Sequence, residues 1–359
     1  MSQLGFFDVA NRYAGLDAKN DPLLKIDSVV PWEEFRPHLE AVWRKPANQR
    51  KSSAGRKPWD AVVMFKAIVL CALYNLSDDQ VEYQIRDRLS FVRFLGLGLE
   101  DKVPDAKTVW LYREQLAQAG MIATVFENFD SYLKGRGYLA MGGQIIDASI
   151  VSVPIQHNKR DENAKIKAGE TPQDWVDKPA KLRQKDTNAP SRACKHALPG
   201  RGWTKKHGKS HYGYKNHINV DRRHKLVRCY HVTDAAVHDS QVIEDVLDAE
   251  NTASDVWADS AYRSSEIEDM LVEKGLTSRI HRKGRRNKPL TKREERSNKT
   301  RSKIRVRVEH IFGSQSNDMG GTLVRSIGAV RAKTHIGLKN LAYNMRRLVQ
   351  LEHLATAPP

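Results

Sequence analysis

The pattern of hydrophobic and polar positions divides the chain into two parts. Up to about residue 135 the apolar residues fall in long helical segments, such as Trp59 to Leu73, which holds no Gly or Pro. From about residue 136 the pattern changes to short runs rich in β-branched residues, beginning with GGQIIDASIV at Gly142 to Val151. We therefore predict an all-helical N-terminal domain over 1–135 and a second domain of α/β class over 136–354.

The second part alternates between strand and helix patterns. Period-two alternation over 212–235 predicts a β-hairpin, and VWADSAYR predicts a strand that ends near Asp259. Ile304, Val308 and Ile311 stand at helical spacing and predict a helix with one buried face. The polar, basic stretch around 155–210 is predicted to be a long loop or insertion. This order favours a sheet covered by helices over a run of βαβ units.

The positive charge is concentrated in two segments. The net charge of the chain is +17, whereas 279–307 alone carries +12 and 158–210 carries +8. Such focusing favours a polyanionic partner, most often nucleic acid, although two solvated or disordered basic loops would give the same pattern. Neither segment has the amphipathic aromatic stripe of a membrane-surface helix. Candidate DNA contacts in these segments are Lys205, Lys206, Arg285, Arg286, Arg301 and Lys303, with Trp203 as a candidate for stacking on an unpaired base.

Three cysteines, Cys71, Cys194 and Cys229, are widely separated and odd in number. They form neither a zinc-binding pattern nor a disulfide framework, which fits a reducing cytoplasm. The chain also has no run of 18 apolar residues, so we expect no membrane partner.

Three acidic residues stand in unusual surroundings. Asp147 interrupts an apolar strand, where a lone carboxylate costs several kcal/mol unless a cation compensates it. Asp259 follows the strand Val256 to Ala258, and Glu309 lies one helical turn beyond Arg305. Taken singly, each has an ordinary structural explanation, as a loop cap or a helix ion pair.

Taken together, the two strand-borne aspartates and the helical glutamate suit a two-metal site for phosphodiester chemistry. Oxygen-only ligands favour Mg²⁺ or Mn²⁺. Two such ions, about 4 Å apart, activate the attacking oxygen and neutralise the leaving one. A divalent cation would also compensate the burial of Asp147, and the basic segments would hold the phosphate backbone beside an acidic site.

At these residues the chain resembles the DDE transposases of bacterial insertion sequences, closest to the insertion-sequence-five family. The resemblance runs through RKPWDAVVMFKAIVLCALYNLSDDQ, IIDASIV, GYKNHINVD, ADSAYRS and RVRVEHIFG, in that order. It implies a ribonuclease-H-like catalytic domain with Asp147, Asp259 and Glu309 as catalytic metal ligands. It also implies cleavage of double-stranded DNA at terminal inverted repeats, joining of the 3′ ends to target DNA, a dimer in the DNA complex, and a bacterial, nucleoid-associated location.

The family pattern Tyr-x2-Arg-x3-Glu-x6-Lys is matched by Arg305 and Glu309 alone, since Ser302 and Ser316 stand at its other two positions. We therefore keep Arg305 as a phosphate contact and assign no role to the serines. Tyr262 and Arg263 follow the second aspartate as the family expects, and are candidates for orienting DNA.

Two other functions remain open from the sequence. A protein encoded by a decayed insertion element would bind inverted repeats without cutting them. A ribonuclease-H-like nuclease or junction resolvase would share the chemistry but would not join the freed 3′ ends to new DNA.

Overall fold

The computed structural model describes residues 8–44, 57–154, 158–168, 170–178, 181–182, 185, 203–206, 209–284 and 289–356. The chain forms two compact units. The helical unit consists of residues 1–128 and 341–359, and the sheet unit of residues 129–340. The boundary predicted after residue 135 lies at the last residue of a helix, Met121–Gly135, through which the structural division passes. Residues from 341 onward, which we predicted to belong to the catalytic domain, are grouped with the helical unit.

The helical unit is built around one buried helix. Its helices are α1 Asp8–Ala18, α2 Pro22–Val29, α3 Trp32–Trp43, α4 Ala61–Tyr74, α5 Asp78–Asp87, α6 Leu89–Leu95, α7 Ala106–Gln118 and the first half of α8, Met121–Gly135. Helix α4 begins where the Asp60 carboxylate accepts the backbone N–H groups of Val62 and Val63, and it ends at Asn75 in the left-handed conformation. In the described part of the chain no single helix is long and apolar enough to cross a membrane, and only the bent pair α4 and α5 reaches that length and composition together.

The sheet unit holds six strands in the described residues. They are β1 Gln144–Ser152, β2 Trp203–Lys206, β3 Lys209–Asp221, β4 Val227–Asp234, β5 Asp255–Trp257 and β6 Thr277–Ser278. Its helices are the end of α8, α9 Arg160–Lys167, α10 Gln173–Val176, α11 Ile243–Val246, α12 Ser265–Glu273, α13 Lys292–Gly313 and the first part of α14 Ala329–Thr356. Short helical turns cover Asp239–Val242, Ser260–Tyr262 and Ser314–Asp318.

The sheet combines antiparallel and parallel pairs. Strand β3 pairs antiparallel with β1 on one side and with β4 on the other, which confirms the predicted hairpin. Strand β5 runs parallel to β1, and β6 runs parallel to β5. Strand β2 extends the sheet by pairing with the first residues of β3. The predicted α/β class and the helical N-terminal region are both confirmed.

The described parts of the two basic segments contain helices and a strand. Residues 292–307 of the C-terminal segment lie on α13, so one helix carries +6 of that segment's net charge of +12. In the other segment the described residues include α9, α10 and β2. There Trp175 is fully buried, and its indole N–H donates to Glu162 Oε1 at 2.7 Å. The basic stretch 155–210 therefore contains a small core of its own.

Alternation along β1 places Asp147 on the opposite face from Ile146. Ile146 is 0 % exposed and belongs to the core between the sheet and helices α11 and α12. Just before the strand, Gly143 has φ +90°, and a Cβ there would collide with the Trp257 ring and the Asp255 carbonyl. Because only glycine permits that close approach, Gly143 lets β5 lie directly beside the start of β1.

Candidate active site

Asp147 and Asp259 lie at matching positions of two neighbouring parallel strands. Ile145 of β1 is the register partner of Trp257 of β5, and each aspartate follows its partner by two residues. Asp259 stands two residues after the end of β5 and caps the turn Ser260–Tyr262, where its Oδ1 accepts the N–H of Ala261 at 2.7 Å. Extension of the register therefore places the two aspartates at the same end of the two strands.

Helix α13 carries the third acid, Glu309, and the arginine that links it to Asp147, Arg305. Arg305 Nη1 donates to Asp147 Oδ2 at 2.7 Å, and its Nη2 donates to Glu309 Oε1 at 3.1 Å. The Asp147 side chain is 14 % exposed, the Arg305 side chain 21 %, and the Glu309 side chain 56 %. One guanidinium thus joins a largely buried acid of β1 to an exposed acid of α13, and it supplies the positive charge that Asp147 requires.

No three His, Cys, Asp or Glu side chains in the described ranges lie close enough together to hold a metal ion. Asp147 and Glu309 converge on the Arg305 guanidinium instead. Their donor atoms are nevertheless carboxylate oxygens that already face a single positive group. By charge and donor chemistry, these residues fit a hard divalent cation such as Mg²⁺ or Mn²⁺.

Tyr262, a predicted DNA contact, lies beneath the two aspartates. It is 1 % exposed and packs in the core with Ile146 and Ile267, so its ring presents no face to a DNA strand. Burial raises the pKa of its hydroxyl well above the usual value, and the carboxylates of Asp239, Asp147 and Asp259 raise the pKa further. Its hydroxyl has no hydrogen-bond partner among the described residues. The structure therefore places Tyr262 in the core of the sheet unit, where it does not contact DNA directly as the sequence suggested.

Two residues near the site, Lys215 and His281, were not singled out from the sequence. Lys215 of β3 donates to Asp239 Oδ1 at 2.7 Å and to the Val237 carbonyl at 2.6 Å. The sequence signal for Lys215 is a cation within a half-apolar strand, which is the same kind of signal as the acid within β1. His238, of the sequence AVHDSQ, bonds Ser240 through its ring at the start of the next turn.

His281 also borders the site. Its backbone N–H donates to the Ala258 carbonyl at 3.1 Å, and its Nε2 lies 3.4 Å from Ser302 Oγ. Burial lowers the pKa of the imidazole, Arg305 lowers it further, and the carboxylate of Asp259 opposes the change. The surroundings of His281 therefore favour the neutral imidazole over the charged one.

The remaining candidate DNA contacts differ in how far the structure describes them and in what their side chains contact. Arg263 and Arg301 both donate to the Ile280 carbonyl, so both guanidinium groups are engaged within the protein, whereas Lys303 is exposed on α13. Arg285 and Arg286 lie outside the described residues. Trp203, Lys205 and Lys206 lie on β2, whose backbone alone is described.

Comparison with known proteins finds two matching family profiles and one similar solved structure. The profile described as "Transposase DDE domain" matches residues 140–345, and the profile described as "Transposase domain (DUF772)" matches residues 11–115. The solved structure of a piggyBac transposase synaptic complex with hairpin DNA shares 10 % identity, with 92 % of this chain and 76 % of that chain covered at a TM-score of 0.45. The first profile covers more than half of the sequence and includes all three acids, and the chain belongs to the DDE transposases of the insertion-sequence type.

Proposed function

We propose that this chain cleaves double-stranded DNA at the terminal inverted repeats of its element and joins the freed 3′ ends to target DNA. The observation that carries the proposal is the meeting of Asp147, from β1, with Arg305 and Glu309, from α13, at the end of the strands where Asp259 follows β5. The motifs favour the insertion-sequence-five group. A dimer holding two element ends in the bacterial nucleoid, without a membrane partner, completes the proposal.

The sheet topology supports a ribonuclease-H-like assignment for the sheet unit. Its strands follow the spatial order β4, β3, β1, β5, β6, with antiparallel pairs on one side of β1 and parallel pairs on the other. The first acid lies on the central strand, and the second follows its parallel neighbour. This combination is what the resemblance leads us to expect for that fold.

Asp147, Asp259 and Glu309 would hold the divalent ions. A pair of Mg²⁺ or Mn²⁺ ions supplies activation of the attacking oxygen and neutralises charge on the leaving oxygen. The chain itself supplies position and charge. Strands β1 and β5 fix the two aspartates, and Arg305 orients the carboxylates of Asp147 and Glu309 through its two nitrogens.

A supercoiled plasmid carrying the DNA ends that flank the gene tests the proposal. With Mg²⁺, the full-length protein should nick the plasmid at the repeats and join the ends to a second DNA. Asp147→Asn, Asp259→Asn and Glu309→Gln should lower cleavage by at least about 10³-fold while DNA binding persists. Asp255→Asn is the matched control, since this acid of β5 pairs with Arg279 and should leave cleavage intact.

Three outcomes contradict the proposal in different ways. Persistent binding without any nicking by the unmodified protein would indicate a non-catalytic repeat-binding protein. Nicking without joining would indicate a nuclease or resolvase. Normal cleavage by the Asp147 and Glu309 variants would remove these acids from the chemistry.

A further inference from the structure

Helix α13 has an inner face that is bound to the rest of the sheet unit. At 100° per residue, Glu294, Asn298, Arg301, Arg305 and Val308 share one side of the helix. Asn298 exchanges two hydrogen bonds of 2.9 Å with the backbone of Arg282, whose side chain pairs with Glu294 at 2.7 Å. Arg301 donates to the Ile280 carbonyl, and Val308 is fully buried. These contacts fix the rotation of α13 about its own axis.

The opposite face of α13 is a row of exposed cations. Lys292, Arg296, Lys299 and Lys303 are separated by four, three and four residues, so they lie within about 60° of one another and about 170° from the inner face. All four are exposed, and within the described ranges none forms an ion pair. Among the described cations of this helix, Arg301, Arg305 and Arg307 are thus engaged inside the protein, whereas the row, with Arg293 beside it, is presented to solvent.

The row leads toward the candidate active site. From Lys292 to Lys303 is eleven residues, which is about 16 Å along the helix axis. Glu309 follows six residues later, about 9 Å farther along the same axis. Duplex DNA rises about 3.4 Å per base pair along its axis, so the row spans about five base pairs of a duplex whose axis lies parallel to the helix.

We propose that the outer face of α13, formed by Lys292, Arg296, Lys299 and Lys303, is the track for the sugar–phosphate backbone of the DNA duplex entering the active site. The inference rests on the proposed function and specifies which surface guides the duplex and in which direction. Lys303 lies nearest the cleavage position and Lys292 farthest from it.

The chemistry of the face favours DNA over an acidic protein partner. Protein interfaces have an apolar core and are depleted of lysine, whereas this row contains three lysines and an arginine with no apolar side chain between Lys292 and Lys303 on the same side. A regular spacing of single charges matches a regular polyanion. The residues also carry no base-reading arrangement, so the track should hold DNA of any sequence.

Salt dependence provides the first test. The full-length protein is titrated against a fluorescent duplex of arbitrary sequence, about 30 base pairs long, at a series of NaCl concentrations. Replacement of all four row residues by Gln should reduce the magnitude of the log–log salt slope by about 3 to 4, and Lys299→Gln alone by about 1. Lys299→Arg should retain the full slope. The matched control replaces Arg223, Lys274, Arg325 and Lys333 by Gln, which removes the same charge from exposed positions elsewhere in the sheet unit and should change the slope by less than about 1.

A tethered DNA-cleaving reagent tests the direction of the track. Iron–EDTA is attached to Lys292→Cys or to Lys303→Cys, with the labelled unmodified protein as background for the native cysteines. On a DNA end bearing the terminal repeat, the two cleavage centres should lie about five base pairs apart, with the Lys303 centre closer to the scissile position.

The outcomes separate this inference from the proposed function. Equal loss of salt dependence in the row variant and the control variant would show only an effect of net charge, and coincident cleavage centres would show that DNA does not follow α13. Either result overturns the track even if Asp147→Asn abolishes cleavage. Self-association that the row variant abolishes, with an unchanged salt slope, would assign the face to a second copy of the chain and overturn the inference as well.

Discussion

The guanidinium of Arg305 donates to Asp147 Oδ2 at 2.7 Å from a helix that begins more than 140 residues later in the chain. The same group reaches Glu309 at 3.1 Å. In the protein without metal, Arg305 therefore supplies the positive charge between two of the three acids proposed as metal ligands. Its Nε atom is buried without a hydrogen-bond partner among the described residues, so it keeps one donor unused.

We expect Arg305→Ala to destabilise the metal-free protein by about 2 kcal/mol, because Asp147 loses a charged partner at a largely buried position. Mn²⁺ should restore more stability to this variant than to the unmodified protein, since the cation no longer competes with a guanidinium. Urea unfolding with and without Mn²⁺ measures both effects. Arg307→Ala is the control, because Arg307 donates to the Arg222 carbonyl and to no acid of the site. The same gain from Mn²⁺ in both variants would contradict a competition at Arg305.

Patterns that depend on local sequence predicted much of the fold. The alternation in 212–235 is confirmed as β3 and β4, and Ser77 and Gln80, which have capping-box spacing in the sequence, form a capping box at the start of α5. These succeeded because the turn, the cap and the strand period are each decided within a few residues. The helix after Asp259 is capped by Ser264, although Ser265 and Glu268 have capping-box spacing in the sequence, because adjacent serines give the same local signal.

Features that depend on distant partners were not predictable. Arg305 was expected to bind phosphate, and the sequence gives no sign that β1 would place Asp147 against it. Tyr262 was expected to orient DNA, and its burial depends on packing against Ile146 and Ile267 of two other elements. The basic residues of α13 also looked equivalent in the sequence. Only the contacts of the helix show which cations are engaged and which are free.

Tyr262→Phe separates a core role from DNA contact. The variant removes a buried hydroxyl that has no partner among the described residues, so stability should change by less than about 1 kcal/mol and DNA affinity by less than about twofold. Tyr262→Ala should cost about 3 to 5 kcal/mol, because it leaves a cavity beneath the aspartates. Thermal unfolding and fluorescence anisotropy give the two readouts. A large loss of DNA affinity in Tyr262→Phe at unchanged stability would restore the role that the sequence predicted.

Arg228→Met tests the ion cluster that fixes the hairpin within the sheet unit. Arg228 donates to Asp221 at 3.0 Å, to Asp130 at 2.8 Å and to the Tyr138 carbonyl at 2.7 Å, and all three charged side chains are buried. Loss of the guanidinium leaves two buried carboxylates, so we expect a cost of about 3 to 5 kcal/mol in urea unfolding. Lys274→Met is the control, because its exposed pair with Glu244 should contribute less than about 1 kcal/mol. Similar losses of unfolding free energy in the two variants would show that the buried cluster stabilises the protein no more than an exposed ion pair does.

His217 should make stability depend on pH. Burial lowers the pKa of its imidazole to about 4, from an ordinary value of 6.5, and the neighbouring Lys215 and His231 lower it while Asp239 and Asp245 oppose the change. Below pH 6.5 the unfolded chain takes up a proton at this residue that the folded chain does not, so the unfolded state gains stability as the pH falls toward 4. At pH 4.5 the loss from this residue should be about 2.5 kcal/mol relative to pH 7.

His217→Gln should remove that part of the pH dependence, because the amide does not titrate and retains a polar group for Thr233 Oγ1, which lies 2.8 Å from the imidazole Nε2. Urea unfolding of both proteins at pH 7 and pH 4.5 isolates the contribution as a difference, since the other acids titrate alike in each. His231→Gln is the matched control on the neighbouring strand, where the side chain is 41 % exposed. If the difference between the unmodified protein and His217→Gln is the same at both pH values, the imidazole takes up its proton in the folded state as readily as in the unfolded chain. The buried position on β3 would then be open to water.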